Sequence, residues 1–120
     1  MAEHHVSFEV SASPAEVFAY ISELSNLSEW DSSVRSVELA HDTGPALGRR
    51  FDVVVGFYGR ELEAVYEINR FEADAAVGWS IEGKASGTAA ITLTETAVGT
   101  RVDHRLRINL KGFARLLDRG

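Results

Sequence analysis

Cysteine is absent from this 120-residue chain, which also has only two prolines and one methionine. Without cysteine the chain forms no disulfides and offers no thiolate chemistry, and the redox compartment stays undetermined. No apolar run approaches the length that crosses a bilayer. The first five residues lack the basic and apolar segments of a signal peptide. We therefore expect no membrane span and a soluble protein of the cytoplasm.

Basic residues are also in deficit, because 12 lysines and arginines face 18 acidic residues and the net charge is −6. Such a balance repels phosphate backbones. The nearest approach to a basic patch is Arg101, Arg105, Arg107 and Lys111. The three arginines alternate with apolar residues, which is typical of the solvated face of a strand. We expect no nucleic-acid partner.

The length and composition predict one domain over residues 1–120, because a chain of this size has room for a single hydrophobic core and its 45% hydrophobic and 25% charged residues are typical of a globular protein. His4 to Val10 alternates as a half-buried strand. Ser13 is a predicted helix cap, with Pro14 in the first position and Glu16 completing a capping box. A second short helical turn carries Leu27 and Trp30.

Six further strands are predicted between Val34 and Leu110 from their alternation. Glu61, Glu63 and Glu67 fall on the outward phase of one of them and are expected to form a solvated face. We expect Gly83 and Gly87 to mark a turn or a bulge. One face of nearly every strand is apolar, which predicts a curved sheet around an apolar concavity.

This layout resembles the START-like (SRPBCC) superfamily, and within it the polyketide cyclase/dehydrase group. The residues that carry the resemblance are the Ser-Pro-Ala-Glu-Val-Phe run at 13–18, the Leu-Ser-Glu-Trp run at 27–30, and the hairpin from Thr92 to Val102. The resemblance implies an α+β, helix-grip (START/Bet v 1-like) fold. This fold has a curved antiparallel seven-stranded sheet, two short helices and a long C-terminal helix. It also implies a small apolar ligand, such as a lipid or a polyketide-like molecule.

The sequence departs from that pattern at its end. Phe113, Leu116 and Leu117 have helical spacing over about two turns only, so the closing helix is expected to be truncated. An uncovered apolar sheet face usually marks an interface. A homodimer through this face is therefore an expectation.

We expect the inward-facing residues to bind the ligand: Leu27, Trp30, Phe51, Val53, Val55, Tyr66, Trp79, Ile91, His104 and Leu106. His104 and Tyr66 are the candidates for catalysis, although a hydrogen-bonded core histidine and a core tyrosine are open alternatives. Asp31 is either at the cavity mouth or in a solvated turn. The four histidines show no metal-ligand spacing, and we expect neither metal nor cofactor.

Three functions remain open at this stage. The first is a non-catalytic carrier or sensor of a small apolar molecule. The second is a polyketide cyclase, aromatase or dehydratase that uses a cavity histidine or tyrosine as general acid and base. The third is a protein-interaction module that uses the open sheet face. The sequence has few inward acids and bases, which favours the carrier.

Overall fold

Seven antiparallel strands and two short helices make up the computed structural model, which describes residues 2–41, 44, 46–57, 59–84 and 86–109. Strand β1 (Ala2–Val10) is followed by α1 (Pro14–Ile21), a short 3-10 helix (Leu24–Asn26) and α2 (Leu27–Trp30). The remaining strands are β2 (Val34–His41), β3 (Arg50–Phe57), β4 (Arg60–Glu72), β5 (Ala76–Gly83), β6 (Ser86–Thr96) and β7 (Gly99–Asn109). The predicted α+β fold is confirmed. The predicted closing helix, with Phe113, Leu116 and Leu117, lies outside the described residues.

The strands form one sheet in the order β1-β7-β6-β5-β4-β3-β2. Strands β2 to β7 are therefore neighbours in the order of the chain, joined as a meander. Strand β1 is the exception, because it pairs with β7, where Val6 lies opposite His104. The helices connect β1 at one edge of the sheet to β2 at the other, so this connection crosses one face of the sheet.

Helix α1 begins where the sequence predicts. The backbone N–H of Glu16 donates to Ser13 Oγ at 3.2 Å, and the Ser13 hydroxyl donates to Glu16 Oε1 at 3.1 Å. Pro14 occupies the start of the helix. These contacts satisfy one of the free N–H groups of the first turn, and Pro14 supplies a backbone angle suited to it.

The core lies between the helices and the inner face of the sheet. Helical residues Phe18, Ile21, Leu24 and Leu27 are buried there, none exposing more than 7% of its surface. The ring of Phe18 meets that of Phe71 edge to face, with centroids 5.1 Å apart. Burial of these side chains against the sheet stabilises short helices that would be marginal alone.

Gly83 and Gly87 flank the hairpin between β5 and β6, which confirms the turn. Gly83 has a φ of +140°, a conformation that side chains rarely adopt. Gly87 lies within β6, where a Cβ atom would stand 1.9 Å from the carbonyl oxygen of Arg107. The close approach of β6 and β7 therefore requires glycine at this position.

Candidate functional site

A cavity of about 1010 Å³ lies between the inner face of the sheet and the helical segment. Its wall is mainly apolar and is contributed by α1, α2 and every strand except β2. Alternation places the wall, because residues two apart on a strand face the same side. A largely apolar concavity of this size is the usual form of a small-molecule site.

Eight of the ten residues predicted to bind a ligand line this cavity: Leu27, Trp30, Val55, Tyr66, Trp79, Ile91, His104 and Leu106. Trp79 and His104 lie on the same face of the sheet, with ring centroids 6.3 Å apart. The sequence alternation therefore predicted this face correctly. Whether these residues contact a ligand stays a prediction.

Phe51 and Val53 require a correction, because neither lines the cavity. Both lie in the hydrophobic core, and each exposes only 1% of its surface. They belong to β3, beside β2, and the 3-10 helix and α2 pack on β2. At this end of the sheet the inner face is covered by helical residues such as Leu24, so it forms core and not wall.

Strand β1 contributes a part of the wall that the sequence analysis did not assign to the site. His4, Val6, Phe8 and Val10 all line the cavity. Val6 and Phe8 expose 53% and 44% of their surface, so this side of the cavity is the more open one. The available signal was the alternation of β1, which indicated one apolar face but not its place beside β7.

Four rings form a connected group within the wall, which we call the ring cluster: Trp30, Tyr66, Trp79 and His104. The Trp30 and His104 centroids are 5.6 Å apart in an edge-to-face arrangement, and Tyr66 stacks on Trp79 at 6.0 Å. Cross-strand pairing fixes these positions, since Trp79 lies opposite Ile68 and Ala89. The cluster joins four separate elements, namely α2, β4, β5 and β7.

The polar atoms of the ring cluster have no protein partner among the described residues. The indole N–H groups of Trp30 and Trp79 are buried without a hydrogen bond. No hydrogen bond to the Tyr66 hydroxyl or the His104 imidazole occurs within the described part of the chain either. Buried polar groups are normally hydrogen-bonded, and leaving one unpaired costs about 1–3 kcal/mol. Whether His104 is a site residue or a hydrogen-bonded core residue stays a prediction.

Burial sets the protonation of the two candidate catalytic groups. It lowers the pKa of the His104 imidazole, while the negative charge of Asp31 opposes that shift. Burial also raises the pKa of Tyr66 to about 12, with Asp31 acting in the same direction. At neutral pH the imidazole is therefore mainly uncharged, and the phenol keeps its proton. One group can accept a proton and the other can donate a hydrogen bond.

Asp31 lines the cavity, as one alternative predicted, and it also belongs to a partly exposed turn with Ser33. It follows α2, where its backbone N–H donates to the Leu27 carbonyl at 2.8 Å. Its Oδ1 accepts hydrogen bonds from the Ser33 backbone N–H at 3.0 Å and from the Ser33 hydroxyl at 2.7 Å. The local turn thus holds the carboxylate beside the ring cluster.

Other kinds of site have less support. Within the described residues, no group of three or more His, Asp and Glu side chains is placed to hold a metal ion. Of the predicted solvated face of β4, Glu61 and Glu63 are exposed, although Glu63 also lines the cavity, whereas Glu67 is half-buried and its Oε1 accepts from Arg50 Nε at 2.6 Å. None of the described helices is long and apolar enough to cross a membrane.

The curved seven-stranded sheet, the two helices and the cavity together define a helix-grip protein. A comparison with family sequence models matches residues 1–120 to the family described as "Polyketide cyclase / dehydrase and lipid transport". The chain belongs to this family, as the resemblance of its motifs indicated. Among curated proteins the sequence has no significant match.

Solved structures from several bacteria share the fold. DR_A0006 from Deinococcus radiodurans superposes with a TM-score of 0.77 at 15% identity, covering 99% of this chain and 93% of that one. TTHA0849 from Thermus thermophilus gives 0.79 at 20% identity, with coverages of 98% and 84%. A polyketide cyclase-like protein from Corynebacterium glutamicum gives 0.59 at 21% identity, with coverages of 98% and 71%. At these identities the likeness establishes the fold alone.

Proposed function

We propose that this protein is a non-catalytic carrier or sensor that binds a small apolar molecule in the cavity. The observation that carries the proposal is the combination of an apolar wall with a ring cluster whose polar atoms lack partners among the described residues. An apolar ligand body would pack on the wall, and its polar atoms would pair with the cluster. The description of the family, which includes lipid transport, agrees with such a role.

The wall supplies enough apolar surface for useful affinity. Each 100 Å² of apolar ligand surface removed from water contributes about 2.5 kcal/mol. A ligand that buries about 400 Å² gains about 10 kcal/mol by this measure before losses of motional freedom, which consume several kcal/mol. What remains, about 6 kcal/mol at most, corresponds to a dissociation constant of tens of micromolar or weaker without any charged contact.

An enzymatic role is the second candidate, favoured by the mainly uncharged His104 and the protonated Tyr66 beside the same cavity. In a cyclase, aromatase or dehydratase, such a pair would accept and donate protons while the wall holds the substrate chain. The absence of further acids and bases deep in the described wall favours the carrier. Asp31 is the one half-buried carboxylate in that wall.

Intrinsic fluorescence tests binding directly, because both tryptophans of the chain, Trp30 and Trp79, line the cavity. We expect titration with the neutral dye Nile red to change tryptophan emission and saturate at one dye per chain. Native mass spectrometry of the freshly purified protein identifies any molecule that co-purifies. A protein that shows no saturable binding would contradict the proposal.

Two variants on one strand provide the control. Ala89 lines the cavity and is buried, whereas its neighbour Ala90 points to the other face of β6. Ala89→Phe fills part of the cavity and should weaken dye binding at least tenfold, while Ala90→Phe should leave it unchanged. Circular dichroism verifies that both variants fold. Equal binding by the two variants would place the dye elsewhere.

Turnover assays with poly-β-keto substrates separate the carrier from the enzyme. We expect no conversion by the wild-type protein, and weaker or altered ligand binding by His104→Ala. Conversion by the wild type, reduced about 100-fold or more in His104→Ala, would instead establish the enzyme.

A further inference from the structure

The charged groups around the cavity would favour some polar end groups of a ligand over others. Glu16, Asp31 and Glu63 line the cavity, whereas no lysine or arginine of the described residues does. Glu16 and Glu63 are exposed and therefore belong to the rim. Asp31 is the one of the three that is half-buried, and it follows Trp30 of the ring cluster directly in the chain.

Asp31 has one oxygen available for a ligand. Both hydrogen bonds from Ser33 end on Oδ1, so Oδ2 has no hydrogen-bond partner within the described part of the chain. The carboxylate also acts electrostatically on both Tyr66 and His104. Its negative charge is thus felt across the part of the wall where polar atoms lack partners.

No described lysine or arginine offsets this charge inside the cavity. The Arg35 guanidinium lies beside Gly56, a lining residue, but Arg35 itself is exposed and does not line the cavity. Its charge is therefore screened by water and salt. A ligand carboxylate placed near the ring cluster would lose its hydration and face Asp31 without a cation, which is strongly unfavourable.

From this arrangement, and given the proposed function, we infer that the cavity selects ligands whose polar end donates a hydrogen bond and carries no negative charge. Alcohols, phenols and protonated amines can all donate to Asp31, and the oxygen of an alcohol or a phenol can also accept a hydrogen bond from the unpaired donors of the ring cluster. Their O–H or N–H group would donate to Asp31 Oδ2, while the apolar body packs on the wall. Fatty-acid anions could accept hydrogen bonds from the unpaired donors of the ring cluster, but they offer no donor to Asp31 and bring a second negative charge into the same cavity, so we expect them to bind less tightly.

Three ten-carbon compounds that differ only at the polar end test the inference: decan-1-ol, decylamine and decanoate. Their affinities at pH 7.5 are measured by displacement of Nile red and by tryptophan emission. We expect decanol and decylamine to bind at least tenfold more tightly than decanoate. Equal or tighter binding of decanoate, while Nile red still saturates, would overturn the inference and leave the proposed function standing. If none of the three compounds binds and Nile red does not saturate, both fail.

Asp31→Asn identifies the residue responsible, because the amide oxygen can still accept the hydrogen bonds of Ser33 while the charge is lost. We expect this variant to reduce the preference for decanol over decanoate at least threefold, mainly by strengthening decanoate binding. Glu95→Gln removes the same charge from an exposed site outside the cavity and should leave the preference unchanged. A preference that is unaffected by Asp31→Asn, or equally affected by Glu95→Gln, would refute the assignment to Asp31.

Discussion

Replacing Trp79 by phenylalanine should change the free energy of unfolding by less than about 1 kcal/mol. Trp79 exposes only 2% of its surface, and its indole N–H is buried without a partner among the described residues. The substitution removes two buried carbon atoms, a loss of about 2 kcal/mol once a small void is included. It also removes the unpaired donor, a gain of about 1–3 kcal/mol. The two effects nearly cancel.

Urea unfolding followed by circular dichroism measures this balance. Phe51→Leu is the matched control, because it removes three atoms from a side chain that is 1% exposed and has no polar group. Without a compensating gain, this control should lose about 2 kcal/mol. If Trp79→Phe loses more than about 3 kcal/mol, the indole N–H is hydrogen-bonded in the folded protein and the reasoning is refuted.

Three further predictions concern stability. The pKa of His104 is lowered in the folded protein, so the contribution of the uncharged imidazole to the free energy of unfolding is intact above pH 6.5 and is lost as the pH falls through the folded pKa. In His104→Asn the urea midpoint should therefore vary less with pH between pH 7 and 5 than it does in the wild type. A pH dependence equal to that of the wild type would contradict this. Gly87→Ala should lower the free energy of unfolding by at least about 2 kcal/mol, because the added Cβ would collide with the Arg107 carbonyl. A melting temperature within about 2 °C of the wild type would exclude that collision. Thr100→Val removes the 2.7 Å hydrogen bond to the Ala12 carbonyl and should lower the free energy of unfolding in urea by about 1–3 kcal/mol. Thr100→Ser keeps the hydroxyl and should retain most of that stability. Equal losses in both variants would show that the bond is unimportant.

The sequence was most informative about features that depend on a short stretch of chain, such as the face of a strand or the start of a helix. Alternation alone placed Tyr66, Trp79 and His104 on one face, and the capping residues predicted the start of α1. These signals are local, because the direction of a side chain on a strand depends only on its position along that strand. The family resemblance then supplied the closed architecture that alternation cannot provide.

What the sequence could not predict depends on contacts between distant segments. Phe51 and Val53 have the same alternation as the wall residues, and only the packing of the helical segment on β2 makes them core. Asp31 follows a helix end, and nothing nearby in the sequence indicates whether its carboxylate turns inward. The wall contributed by β1 depends on a partner strand 90 to 106 residues further along the chain, from the Val10–Thr100 pair to the Ala2–Ile108 pair.

The pairing of β1 with β7 also has a consequence for how the binding site is assembled during folding. Val10 pairs with Thr100 and Ala2 with Ile108, so nearly the whole described chain must be synthesised before β1 finds its neighbour. Contacts of such long range form slowly, because the intervening chain must first be ordered. Until then the cavity lacks the part of its wall that β1 contributes. Both strands of this pair line the cavity, so a molecule that fills the cavity would link the first strand of the chain to the last described one.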